Sequence, residues 1–503
     1  MLLSSISMSY PVAFNSLEAH SSVYSSHSPI YINGNANFTN ANGIMSGSGT
    51  SSDPYLISGW EIDASTDDGI IVRNTTQHFI IKGCNIHDGT ILYNGIELLN
   101  CTNGRLENNI CSNNRDNVYL QSSNDVVINN NTCAPNNEFG IFLADSSNNT
   151  ISKNNCSEGG GITLDPSCND CEITYNTCSD DTGYGIYIRL SNRNKIFNNI
   201  CLRDGYPIAL DACNNNSISN NTWSDTDYGL YVWGSKDCTI TWNVCSLDPR
   251  TRTFSSNSTQ YWDNQDFGIW LHGSTRTVIS HNICKNNNYG IKVSESINNM
   301  IIDNNASNNN YGIVLDVSAR VNTVGNNTCS YNGIGVLLQS VFDNIVEKNN
   351  CSMNNIFGIS LIQFSNDNTF INNSFMNNQK FGISIESSCS HNSIWNNTFI
   401  GNNGAGNTFD SSHVQASDNG TGNHWNNSNG YGNTWSDWNP RTASPYIISG
   451  SAGSYDYFPF TNPQDNVSIV ILIVILLVFI FLVSLIVLKK RKRRTEEPPS
   501  SDH

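Results

Sequence analysis

The sequence predicts an all-β chain: a right-handed parallel β-helix of about 14 coils, capped at both ends, followed by one C-terminal transmembrane helix. Three observations predict it. A phrase of aromatic or polar residue, Gly and Ile recurs at intervals of mostly 21 to 24 residues. Apolar and polar residues alternate with period two within each repeat, bounded by Asn, Ser and Gly, which reads as short strands joined by turns. Near the end, Val467–Leu488 runs 22 residues without a charge, enough to cross a bilayer core of roughly 30 Å.

Composition narrows the class. Of the 503 residues, 38 % are hydrophobic and 13 % charged, with a net charge of −17. That is too apolar for an acidic disordered chain. Six of the 25 basic residues stand in one run, Lys489–Arg494, so the rest is more acidic still, which excludes a generic nucleic-acid binder.

In chain order, residues 1–27 read as a possible leader or its remnant. Met1–Phe14 lacks a basic start and has only short apolar stretches, so this signal is weak. Residues 28–62 form the N-terminal cap and first coil, and 63–400 the repeats. The repeat's aliphatic position falls at Ile70, Ile96, Val118, Ile141, Ile162, Ile186, Ile208, Leu230, Ile269, Ile291, Ile313, Val336, Ile359 and Ile383. One interval, Leu230 to Ile269, is 39 residues, so an insertion at about 247–265 interrupts that coil. A second strand carries Ile128, Ile151, Ile173, Ile196 and their successors to Ile394. Helical periodicity is absent and the repeat is too short for a propeller blade, which leaves a parallel β-helix.

Five residues after the second strand's aliphatic position runs a column of Cys111, Cys133, Cys156, Cys178, Cys201, Cys245, Cys284, Cys329 and Cys351, with Trp223, Ala306, Phe375 and Phe399 in other coils. A column that accepts Cys, Ala, Phe and Trp faces inward, so a reduced interior ladder is expected. Cys101, Cys168, Cys213 and Cys389 are placed in a turn column with Ser146, Ser191 and Ser318. Cys168 and Cys171 form a CxxC pair with no second pair to complete a metal site. Two residues before the cysteine column stands Asn in thirteen coils, from Asn109 to Asn397. It is read as a corner ladder that also supplies a left-handed backbone conformation. Sequons such as Asn74, Asn148, Asn305 and Asn466 are glycosylation candidates on an exterior domain.

Residues 401–460 read as a C-terminal cap, 461–466 as a short juxtamembrane linker, and 489–503 as a cytoplasmic tail. The basic run after the span places residues 1–466 outside the cell membrane.

The cap segments Pro29–Gly34 and Gly47–Trp60, and the exit segments Asp418–Trp425 and Gly432–Trp438, resemble the NosD-like or CASH-type β-helix repeat proteins of archaeal cell surfaces. The resemblance covers about residues 28–460. Asn439–Ala443 replaces the Asp/Gly-rich run that often follows the family's tryptophan motif, so no calcium is expected there. The family name alone implies copper handling. Copper would need clustered exposed Cys, Met or His, and here six Met and ten His are scattered.

Function is sought on the outer face of the first strand. Tyr187, Ala209, Tyr231 and Trp270 follow its aliphatic position by one residue, after Tyr119 and Phe142 in earlier coils. Asp165, Arg189, Asp211, Trp233 and His272 follow it by three. Aromatic rings beside carboxylates and Arg suit a shallow sugar-binding groove, with Tyr187, Arg189, Tyr231, Trp233, Trp270, His272 and Trp262 as ligand-binding candidates. The bland alternative is a sheet cover with a surface ion-pair ladder. Asp165 and Asp211 are weak catalytic candidates, because Arg189 between them would hold both ionised. The expectation is a membrane-anchored surface protein with a carbohydrate-binding or adhesive role, using no cofactor or metal. A polysaccharide lyase or glycoside hydrolase is the alternative, and a copper-handling factor a lesser one.

Overall fold

The computed structural model describes residues 24–246, 266–442 and 444–461. It is all β, a right-handed parallel β-solenoid. Helix among the described residues amounts to four three-residue 3-10 turns, at Asn35–Asn37, Asn40–Asn42, Asn402–Gly404 and Pro440–Thr442. The chain forms two compact units, one up to Gly185 and one from Ile186. No described helix is long and apolar enough to cross a membrane; Val467–Leu488 and the basic tail lie outside the described residues.

Each coil lays down up to three short strands, as in Tyr206–Asp211, Ser217–Ser219 and Thr222–Ser224. Corresponding strands of successive coils pair in parallel, which builds a first, second and third sheet. In the second unit Leu230 lies opposite Ile269, Ile269 opposite Ile291, and so on to Ile359 opposite Ile383. The expected register is therefore the observed one, and Leu230–Trp233 pairs directly with Phe267–His272 although 247–265 intervenes. In the first unit Ile70, Ile96, Val118, Ile141 and Ile162 align in the same way. These aliphatic side chains are fully buried. Every second strand residue enters the interior, so two aliphatics per first-sheet strand, such as Ile313 and Leu315, build a continuous core.

All sixteen cysteines are buried. In the third-sheet column Cys245 and Cys284 sit one coil apart, with sulfurs 3.3 Å from each other. Burial raises the thiol pKa, to about 11 for Cys84 and about 12 for Cys238. The four cysteines assigned to a turn column are interior as well. Cys101 donates to the Val72 carbonyl at 3.1 Å and Cys213 to the Ile188 carbonyl at 3.3 Å. Ser123, Ser146, Ser235, Ser274 and Ser296 continue that column by bonding from coil to coil. Ser318 does not belong to it. The buried residue at that place is Ala319, and Ser318 carries a positive φ of 63°.

The asparagine ladder is present, with a correction to its backbone. Asn221 donates its Nδ2 to Asn243 Oδ1 at 3.1 Å, Asn243 to Asn282 at 3.0 Å, and Asn304 to Asn327 at 3.0 Å. The left-handed residue is not the ladder Asn but the one before it: Asn130, Lys153, Tyr175, Trp242 and His281 have φ between 54° and 60°. The ladder residue needs its amide inside, so its exposed neighbour takes the turn. Two further ladders were not expected. One runs Asn299, Asn322, Asn344, Asn368, Asn392, Asn423, and the other Asn332, Asn354, Asn378, Asn402.

Both caps join the stack. Ile30–Asn33 pairs with Ile70–Arg73, and Ala416–Asp418 with Ile383–Ile385. In the exit cap Trp435 stacks on Phe399 at 4.1 Å and on Tyr446 at 3.9 Å. Its buried carboxylates are occupied by donors: Asp418 accepts from Trp425 Nε1, Asp456 from Trp435 Nε1, and Asp437 from Gln415 Nε2 and the Tyr446 hydroxyl. Such end coils cover strand edges that would otherwise pair with another chain.

Candidate functional site

The outer face of the first sheet in the second unit carries three adjacent columns. Alternation turns every second side chain outward, so one strand contributes to the first two columns named here, and in four of the five coils the residue that opens the strand contributes to a third. One residue past the aliphatic position, Ala209, Tyr231, Trp270 and Lys292 lie opposite one another. Three past it come Asp211, Trp233, His272, Ser294 and Asp316. The third column, two residues before the aliphatic position, is Tyr206, Tyr228, Phe267, Tyr289 and Tyr311.

These columns make one aromatic band. Tyr206 stacks on Tyr228 at 4.5 Å, Tyr231 meets Trp270 at 4.9 Å, and Phe267 meets Trp270 edge-on at 4.9 Å. Tyr289 and Tyr311 stack at 5.2 Å. The Lys292 ammonium lies 5.0 Å from the ring centres of both Trp270 and Tyr289, and 3.5 Å from Asp316. Trp270 Nε1 donates to Ser294 Oγ at 3.0 Å, which fixes the indole. His272 is edge-on to that indole at 5.4 Å and lies 3.9 Å from Glu295. Burial together with Asp266, Tyr311 and Asp316 raises the Tyr289 hydroxyl pKa. Trp233 stands 48 % exposed at the rim, whereas Phe267 is buried beneath the band.

The sequence candidates separate accordingly. Tyr231, Trp233, Trp270 and His272 are brought together. Tyr187 reaches the same face and donates its hydroxyl to Asp211 at 3.2 Å. Arg189 is exposed on the same strand as Tyr187. Ala209 is buried and offers no contact surface. Asp165 belongs to the first unit and Asp211 to the second. Trp262 lies outside the described residues, as does Asn466. Asn74 and Asn148 are exposed and Asn305 is partly buried. Two contributors were missed, Lys292 and the Tyr206–Tyr311 column. The signal for the column was the aromatic residue that opens the repeat phrase, which was used to find the register and not to build the face.

Two family models match the chain. One, described as periplasmic copper-binding protein (NosD), matches residues 20–204 and 249–440; the other, described as right handed beta helix region, matches 160–316. No curated protein sequence matches. Solved structures resemble the chain at low identity. A double mutant of a periplasmic alginate epimerase is 15 % identical with a TM-score of 0.35, over 73 % of this chain and 77 % of that one. The A-module of an Azotobacter vinelandii mannuronan C-5 epimerase is 12 % identical with a TM-score of 0.32, over 69 % and 87 %. A DFA-IIIase from Arthrobacter chlorophenolicus, without its lid, is 10 % identical with a TM-score of 0.36, over 55 % and 86 %. With three quarters of its length matched by the first of the two models, and with the coil register that such a repeat requires, this chain belongs to the NosD family.

Proposed function

We propose that the chain is a surface-displayed, membrane-anchored β-helix that binds an extracellular polysaccharide along the aromatic band of its second unit. The observation that carries this reading is the continuous run of Tyr231, Trp270 and exposed Trp233, with Asp211, His272 and Lys292 beside the rings. Pyranose faces stack on such rings while their hydroxyls bond to the flanking charges. The anchor in this reading is Val467–Leu488, with the basic run on the cytoplasmic side.

The copper named in the family's description does not fit the described residues. Copper takes exposed thiolate, thioether or imidazole ligands. The cysteine thiols here are buried, and burial raises the pKa of Cys84 and Cys238. Among the described residues no three His, Cys, Asp or Glu side chains converge.

A retention screen of the purified chain against neutral and acidic polysaccharides tests the proposal. Retention by at least one glycan, lost in Trp233→Ala plus Trp270→Ala, supports it. Retention unchanged in that double variant overturns the band as the site. New reducing ends or unsaturated products, lost in Asp211→Asn, would replace binding with catalysis as the function.

A further inference from the structure

One residue before the main asparagine ladder, the chain turns through a left-handed residue in all thirteen coils, with φ between 53° and 60°. The turn itself does not demand Asn, because Lys153, Tyr175, Trp242, His281, Asp303 and Lys348 make it in six of them. Asn makes it in the other seven, as Asn108, Asn130, Asn198, Asn220, Asn326, Asn372 and Asn396. Two residues further on, past the buried rung, stands the first position of the third sheet, and its occupant follows the corner. Where the corner is Asn, that position is Thr132, Thr222, Thr328, Ser374 or Thr398 in five coils, and Ile110 or Ile200 in two. Where the corner is another residue, only Thr177 bears a hydroxyl there, against Asn155, Val244, Ile283, Asn305 and Asn350.

Strand propensity does not account for this pairing, since Ile, Val and Thr all suit a strand and would be taken whatever preceded them. What the pairing makes is Asn-x-Thr or Asn-x-Ser, the acceptor signal for an N-linked glycan. We propose that Asn130, Asn220, Asn326, Asn372 and Asn396 are sites of N-glycosylation, one column of acceptors on one corner of the coil. All five are exposed. Asn130 Nδ2 donates to Asn108 Oδ1 at 2.6 Å, and Asn396 Nδ2 to Asn372 Oδ1 at 2.5 Å. An amide nitrogen carries two hydrogens, so exchanging one for a sugar leaves a donor for that bond. In the step, a bond forms between Nδ2 and the sugar's C1 as the bond from C1 to the phosphate of a lipid-linked oligosaccharide breaks. The lipid phosphate leaves with the electron pair, and the amide gives up one proton. In the second unit the corner lies between the second and third sheets, so its glycans leave the aromatic band of the first sheet open.

The inference rests on the reading that the repeats face outside the cell, and peptide mapping by mass spectrometry of the full chain from its own cells tests it. Glycan mass should appear on at least three of the five asparagines, with Asn108 and Asn198 bare. Thr222→Val should strip Asn220 of its glycan, and Thr222→Ser should keep it. The other sites, unchanged in both variants, report that each chain is exported and folded. Glycan on fewer than three of the five, or on Asn108 or Asn198, overturns the inference. So does a Thr222→Val chain that keeps its Asn220 glycan. An amine reagent that cannot cross membranes tests the orientation separately, through exposed Lys348. Lys348 labelled on intact cells with the corner bare sinks the inference alone. Lys348 labelled only after lysis sinks the outward orientation, and the inference with it.

Discussion

Asn327→Ala removes one rung of the central ladder and its cost can be worked from the bonds. Asn327 Oδ1 accepts from Asn304 N at 2.9 Å and from Asn304 Nδ2 at 3.0 Å, while its Nδ2 donates to the Ile301 carbonyl at 2.8 Å and Asn349 Oδ1 at 3.0 Å. Two of the four partners keep other bonds. Asn304 Nδ2 still reaches the Ile279 and Ile302 carbonyls, and Asn349 Oδ1 still accepts from the Asn327 N–H. The Asn304 N–H loses its acceptor and the Ile301 carbonyl loses a donor. At about 1–3 kcal/mol for each buried group deprived of its partner, the loss is roughly 2–6 kcal/mol. Stacked coils open locally as well as globally, so the assay is hydrogen exchange by mass spectrometry over peptides covering residues 300–330. Exchange there should accelerate by one to four powers of ten, with distant coils little changed. The control is Asn326→Gly, one residue earlier at φ 53°, expected to change stability by less than about 0.5 kcal/mol. An Asn327→Ala chain whose exchange rises less than threefold would refute the claim that the amide rungs hold the coils.

Other outcomes follow from particular side chains. Thiol titration of the native chain at pH 8 should find no rapidly reacting cysteine, and sixteen after denaturation, because burial shields the thiols and raises the pKa of those such as Cys84. Burial raises the Asp181 carboxyl to about 8 from 3.8. The folded state therefore binds more proton than the unfolded state between about pH 4 and 8, and stability falls as pH rises through that window. Asp181→Asn should flatten that part of the profile of melting temperature against pH and raise stability at pH 8. Trp233→Ala alone should weaken glycan retention about tenfold without shifting the melting temperature, since the ring is largely exposed.

The coil register was legible because buried aliphatics recur at fixed places in the first and second strands of almost every coil, so a residue such as Ile240 opposite Ile279 could be aligned across the insertion. The main asparagine ladder was legible for the same reason. Its backbone was misjudged because two neighbouring positions are both Asn-rich, and sequence does not show which of Asn130 and Asn131 turns and which faces in. The second ladder escaped notice because Cys171, Cys238 and Thr277 interrupt it in several coils.

Asn243 and Asn282 are bonded like every other rung although 39 residues of chain separate them. Asn392 and Asn423 manage the same across 31, and Asn397 and Asn433 across 36. The ladder counts coils and is indifferent to the length of chain between its rungs. A lineage built on such a scaffold can lengthen one turn without renegotiating the rest, so new surface can be acquired by insertion while the supporting stack is inherited intact.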